Sequence, residues 1–175
     1  METVLAALIV VTFFLFAVLT FSHTYLSGQD SLQLSWREME ERLGERSRTD
    51  LTPVSNTTLS NGSVIELTIQ NDGDTKLADF DQWDVMVQYY QASGNYEIVW
   101  LPYVTGEPAN NEWTVAGIYL DAATLQAEIF EPDVLNPGEE MVARVRVSPP
   151  VGPSTTNLAA VSTPNGVSVT TLFTR

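Results

Sequence analysis

The chain has 175 residues, enough for one domain and an appended segment, and a formal charge of −14 at pH 7. It contains no cysteine, which excludes disulfide frameworks, thiolate metal sites and cysteine nucleophiles. Beyond residue 50, Lys76, Arg144, Arg146 and Arg175 stand against fifteen carboxylates, and this net of −11 repels phosphate backbones and argues against nucleic acid as a partner.

The first element is an apolar helix. From Val4 to Phe21, "VLAALIVVTFFLFAVLTF", the only polar residues are Thr12 and Thr20. At about 1.5 Å per residue such a run spans a hydrocarbon core of about 30 Å. Ile9, Val10, Val11, Phe13, Phe14, Leu15 and Phe16 point in every direction around a helix, so lipid or protein must bury it on all sides. A secretory signal would open with basic residues and close on small ones; here Met1 and Glu2 precede the run and Phe-Ser-His-Thr-Tyr-Leu follows it. A plain single-pass anchor is the alternative, but its orientation signal is poor, since the first positive charge is Arg37, among acids.

The helical pattern continues in "SLQLSWREMEERLGER", where Leu32, Trp36, Met39 and Leu43 form a heptad-like seam. Glu38 with Arg42, and Arg37 with Glu41, are opposite charges one helical turn apart. One helix over residues 2–47 is expected, about 70 Å long. Gly28, followed by Asp30, Ser31 and Gln33, marks a plausible break and restart.

A Ser/Thr/Asn/Pro linker is expected over residues 51–63, "LTPVSNTTLSNGS", with strands after it. These are "SVIELTIQN", "DVMVQYYQ", "YEIVWLPYV", "EWTVAGIYL", "LQAEIF", "MVARVRV" and "VSVTTLF". Alternation puts Ile65, Leu67 and Ile69 on one face, groups Val85 with Val87 and Tyr89, and turns Met141, Ala143, Val145 and Val147 inward with Arg144 and Arg146 outward. Val167, Val169, Thr171 and Phe173 share a face of the last strand. Seven or so strands separated by turn signals predict a β-sandwich. Gly73 in "IQNDGDTKL" and Gly138 in "LNPGEEMVARVRV" are read as positive-φ turn positions, with Pro137 presetting the second corner. Both turns resemble those of immunoglobulin-like cell-surface domains, a type also found in archaellins.

A short acidic start, an apolar half-helix, an amphipathic half-helix and a β-rich domain together resemble the type IV pilin superfamily, and within it the archaellins, the archaeal flagellins. Bacterial type IV pilins often have Phe first and Glu fifth in the mature chain; Met1, Glu2 and Leu5 depart from that pattern, which argues against a typical bacterial pilin and leaves the archaellin reading standing. The resemblance implies an α+β fold, with a pilin-like helix over 1–50 and an immunoglobulin-like sandwich over 51–175. It implies helix packing in a filament core by Leu5, Leu8, Ile9, Phe13, Phe16, Leu19, Leu26, Leu32, Trp36, Met39 and Leu43. It also implies further copies of the chain as partners, a membrane-inserted precursor, a leader peptidase that leaves Met1 as the mature N-terminus, archaellum or pilus assembly machinery, and an extracellular cell-surface filament. An adhesive pilus subunit, a minor archaellum component, and a membrane-anchored β-sandwich binding module are the alternatives.

No catalytic residue, resident metal or cofactor is expected. The single histidine, His23, lacks neighbouring ligands, and no Gly-rich phosphate loop occurs. Asp72, Asp74, Asp79, Asp81 and Asp84 offer oxygen ligands to calcium without EF-hand spacing; a solvated turn is the simpler reading. Asn56 and Asn61 head two glycosylation sequons. Trp83, Trp100, Trp113 and the tyrosines are read as core positions, with a recognition face as the alternative.

Overall fold

The computed structural model describes residues 2–175; Met1, the expected mature N-terminus, lies outside the described residues, as does the side chain of Glu2. Two compact units are present, Met1–Gly44 and Glu45–Arg175. The fold is α+β: one long helix followed by two antiparallel sheets that form a β-sandwich.

Helix α1 runs unbroken over Glu2–Arg48. This matches the single helix read over residues 2–47, and the alternative of a break and restart at Gly28 does not occur. An isolated helical glycine costs only about 1 kcal/mol, which the long flanking turns outweigh. Thr12 and Thr20 donate their hydroxyls to the carbonyls of Leu8 and Phe16, both at 2.8 Å. The two polar side chains of the apolar half are thereby satisfied within the helix, as a water-free surrounding requires.

The expected linker is instead the first strand, β1 (Leu51–Leu59). It pairs with β2 (Val64–Asn71) through the turn Ser60–Gly62, with a register shift between Pro53 and Ser55. Proline and a bulge are tolerated because this is an edge strand, and its threonines suit an extended backbone. After it come β3 (Asp84–Tyr90), β4 (Tyr96–Leu101), β5 (Glu112–Asp121), β6 (Gln126–Ala127), β7 (Glu140–Arg146), β8 (Thr156–Ser162) and β9 (Ser168–Thr174). One sheet has the order β1-β2-β7-β5-β6 and the other β4-β3-β8-β9. Strand β8 was not anticipated, and β6 is two residues long where six were expected.

Alternation builds the core. Ile65, Leu67 and Ile69 of β2 and Met141, Ala143 and Val145 of β7 face Val85, Val87 and Tyr89 of β3, with Ala159, Val161, Val169 and Phe173 completing the second sheet. Trp83 and Trp113 are buried, whereas Trp100 is exposed. On the outer side Arg144 bridges Glu66 at 2.9 Å and Glu107 at 2.7 Å. The Glu66 hydrogen bond pushes its guanidinium above the ordinary value against the opposing effect of burial, and Glu107 adds to the rise.

The two turn glycines play different parts. Gly138 has φ +86°, as the turn reading requires. Gly73 does not have positive φ; it is needed for close approach, because a Cβ there would lie 2.4 Å from the Arg48 carbonyl oxygen and 2.5 Å from the Asp50 nitrogen. The 71–74 turn is laced to the chain leaving the helix. The nitrogens of Asp72 and Asp74 donate to the carbonyls of Asp50 and Arg48, and buried Asn71 accepts from Gly73 N through Oδ1. Gly73→Ala is therefore expected to lower stability by about 1–3 kcal/mol through overpacking against backbone, read as a lower midpoint in thermal unfolding.

Candidate assembly interface

The residues expected to pack a filament core all lie on α1. Leu5, Leu8, Ile9, Phe13, Phe16, Leu19, Leu26, Leu32, Trp36, Met39 and Leu43 are each between 47% and 72% exposed in the single chain. That is the reverse of how such side chains sit in a finished fold. Leu8, Ile9, Thr12, Phe13 and Phe16 line a shallow apolar groove, brought together by the helical spacing of i, i+1, i+4, i+5 and i+8. The helix is long and apolar enough to cross a membrane. His23 lies exposed on it.

The aspartates do not converge. Among the described residues no group of three His, Cys, Asp or Glu side chains is placed to hold a metal ion. Asp72 and Asp74 belong to the laced turn, while Asp84 accepts a hydrogen bond from the Trp100 indole Nε1 at 2.8 Å.

The sequons differ in availability. The Asn56 amide nitrogen, half-buried on β1, donates to the Leu172 carbonyl at 3.0 Å and to Thr171 Oγ1 at 3.3 Å. Asn61 is exposed in the Ser60–Gly62 turn at φ 56°.

Two apolar features of the sandwich are exposed, and of their residues only Trp100 and the tyrosines had been weighed as a recognition face. One is the outer face of β3 and β4, where Met86, Tyr90, Tyr96, Ile98 and Trp100 are exposed and the Tyr90 and Tyr96 rings lie 5.0 Å apart. A signal for it was available: "YEIVWL" is apolar on both alternating faces, which a half-solvated strand does not need. The other is the segment around β6, with Leu125, Ile129 and Phe130 exposed. There the ladder ends because Glu128 Oε1 accepts from the nitrogens of Phe130 and Glu131, turning the chain outward.

No protein-family model matches the sequence, and no curated protein matches it. Among solved structures, the chain is similar to the archaeal flagellum of Methanospirillum hungatei strain JF1, with TM-score 0.60 and 11% identity over 97% of this chain and 92% of that one. It is also similar to the archaellum periplasmic stator protein FlaG from Sulfolobus acidocaldarius, with TM-score 0.50 and 19% identity over 71% of this chain and 99% of that one. At these identities the shared property is the fold, a helix running into a β-sandwich in the first of them across nearly the whole length of both chains. The chain has an archaellin-like fold.

Proposed function

We propose that the chain is a structural subunit of an archaellum filament, polymerising through α1 with its acidic sandwich facing water, and that the filament serves motility. The observation that carries this reading is a 47-residue continuous helix whose apolar side chains are exposed around the whole circumference. Each Leu, Ile, Val or Phe buried there contributes on the order of 1.5 to 3 kcal/mol relative to water. With about a dozen per subunit, the helix has to exchange lipid for neighbouring copies rather than meet solvent. The similarity to the Methanospirillum filament, at TM-score 0.60, supports the same reading. On this reading the precursor is held in the membrane, a leader peptidase and assembly machinery deliver it, and the product is a cell-surface filament; of the two sequons, Asn61 is the available glycan acceptor.

A second reading, an archaellum component held at the envelope as a stator, is favoured by the similarity to FlaG, which extends over 99% of that chain. Electron microscopy of sheared cell-surface material separates the two. Helical filaments composed of this polypeptide are expected. Recovery of the chain solely in the envelope fraction, with no filament containing it, would overturn the filament reading.

A further inference from the structure

The sandwich carries an unpartnered apolar face and an unpartnered apolar knob on different sheets. The face is the outside of β4-β3-β8-β9. Its register sets Trp100, Met86, Ala160 and Thr170 in one row, and Ile98, Gln88, Leu158 and Leu172 in the next, so the face is mostly apolar and uncharged. Ile98, Trp100 and Leu172 are 58%, 55% and 63% exposed. These four strands contain only two charged residues in a chain of −14. Asp84 sits at the rim bonded to Trp100, and Glu97 alternates inward, accepting from Gln91 Nε2 at 2.6 Å.

The knob is Leu125, Ile129 and Phe130, with Phe130 91% exposed. Leu125 has φ 56°, a left-handed conformation that a branched side chain adopts at a cost and that glycine or asparagine would take more readily. A large apolar residue held there, 70% exposed, is a poor choice for a hairpin tip left in water. Asp121, Glu128, Glu131 and Asp133 flank it in sequence as an acidic collar, with Glu131 paired to Lys76.

We propose that the knob of one copy docks on the neutral face of the next. The acidic collar excludes docking on most of an equally acidic copy, and the β4-β3-β8-β9 face is the surface it meets without opposing carboxylates. Knob and face are different surfaces, so the contact is head-to-tail and continues as an open series. With strands about 4.8 Å apart and about 3.3 Å per residue, the face measures roughly 400 Å². That is about half of what a stable free dimer buries per partner. The contact therefore acts between copies already held together, and in this respect it rests on the filament reading.

The cysteine-free chain permits a direct test with the full-length protein. Phe130→Cys and Ile98→Cys are both surface changes. Each variant alone, and the two expressed together, are oxidised and run without reductant, alongside electron microscopy of the same material. The expected result is a cross-linked dimer, at twice the 19.3 kDa chain mass, from the mixture alone. Filaments without the mixed cross-link, or with Ile98→Cys linking to itself, would overturn the docking and leave the filament reading intact. A mixed cross-link in detergent extracts of cells that form no filaments would overturn the filament reading and, with it, the claim that the contact needs copies already held together; neither product would overturn both.

Discussion

Phe13→Asp is expected to abolish filaments while leaving the thermal unfolding of the sandwich unchanged. Phe13 lies in the groove with Leu8, Ile9, Thr12 and Phe16 and is 72% exposed in the single chain, so no intramolecular packing is lost. A carboxylate at the centre of a membrane helix costs about 2.5–3.5 kcal/mol, which the remaining apolar residues offset, and the variant should still fractionate with membranes. Its own helix offers the new charge no cation, because the first basic residue, Arg37, lies about 36 Å further along it at about 1.5 Å per residue. An unpaired charge enclosed by apolar neighbours costs several kcal/mol, repeated at every subunit of the lattice. The expected phenotype is membrane-retained protein without filaments in electron micrographs. Filaments of normal appearance would show that this face of α1 is not in the core. An envelope-held stator anchored by the same helix would tolerate the change.

What was legible before the structure follows from which forces act locally. Helix α1 was, because a nearly all-apolar run from Val4 to Phe21 continues into the Leu32, Trp36, Met39, Leu43 seam. The sandwich class was, because Ile65, Leu67 and Ile69, or Met141, Ala143 and Val145, alternate strictly. The elements that were not legible depend on neighbours distant in sequence. Strand β1 is polar and Thr-rich, and its pairing with β2 and the bonds from Asn56 and Thr58 to the β9 backbone make it a strand. Strand β8 carries Ala159 and Ala160, weak strand formers, and is held between β3 and β9 with buried Asn157 accepting from Tyr90 N at 2.9 Å. Gly73 looked like an ordinary turn glycine, yet its requirement comes from backbone some 25 residues earlier. The helix residues of the candidate interface were readable by position. The knob of the sandwich was not, and for the face only the aromatic residues and the two-sided apolar pattern of "YEIVWL" gave a signal, since exposure of an apolar strand residue is decided by which sheet covers it.

Trp113→Ala is expected to be the most damaging single change in the sandwich, at about 3–5 kcal/mol. Trp113 is fully buried, its ring meets Tyr103 edge-on at 5.0 Å, and its backbone joins β5 to the chain leaving β4 through Trp113 N to Pro102 O at 3.0 Å and Val104 N to Trp113 O at 2.9 Å. Against a typical stability of about 5–15 kcal/mol, a loss of that size leaves little reserve at growth temperature. Trp113→Phe separates volume from polarity. Among the described residues the indole Nε1 has no hydrogen-bond partner, so the phenylalanine gives up packing volume and no protein hydrogen bond, and a cost of about 1–2 kcal/mol is expected. Circular dichroism melts of the two variants against the parent check the order, and equal losses would mean that the indole nitrogen matters through a bridging water. Because Trp113 lies in the Glu45–Arg175 unit and leaves the apolar surface of α1 untouched, filament yield from Trp113→Ala reads the contribution of the sandwich to the lattice. If α1 alone drives assembly, yield follows the surviving protein in proportion. If the knob and face also hold neighbours together, filaments fall away faster than the protein does, in the same direction as Phe130→Asp, which removes the knob without touching the core.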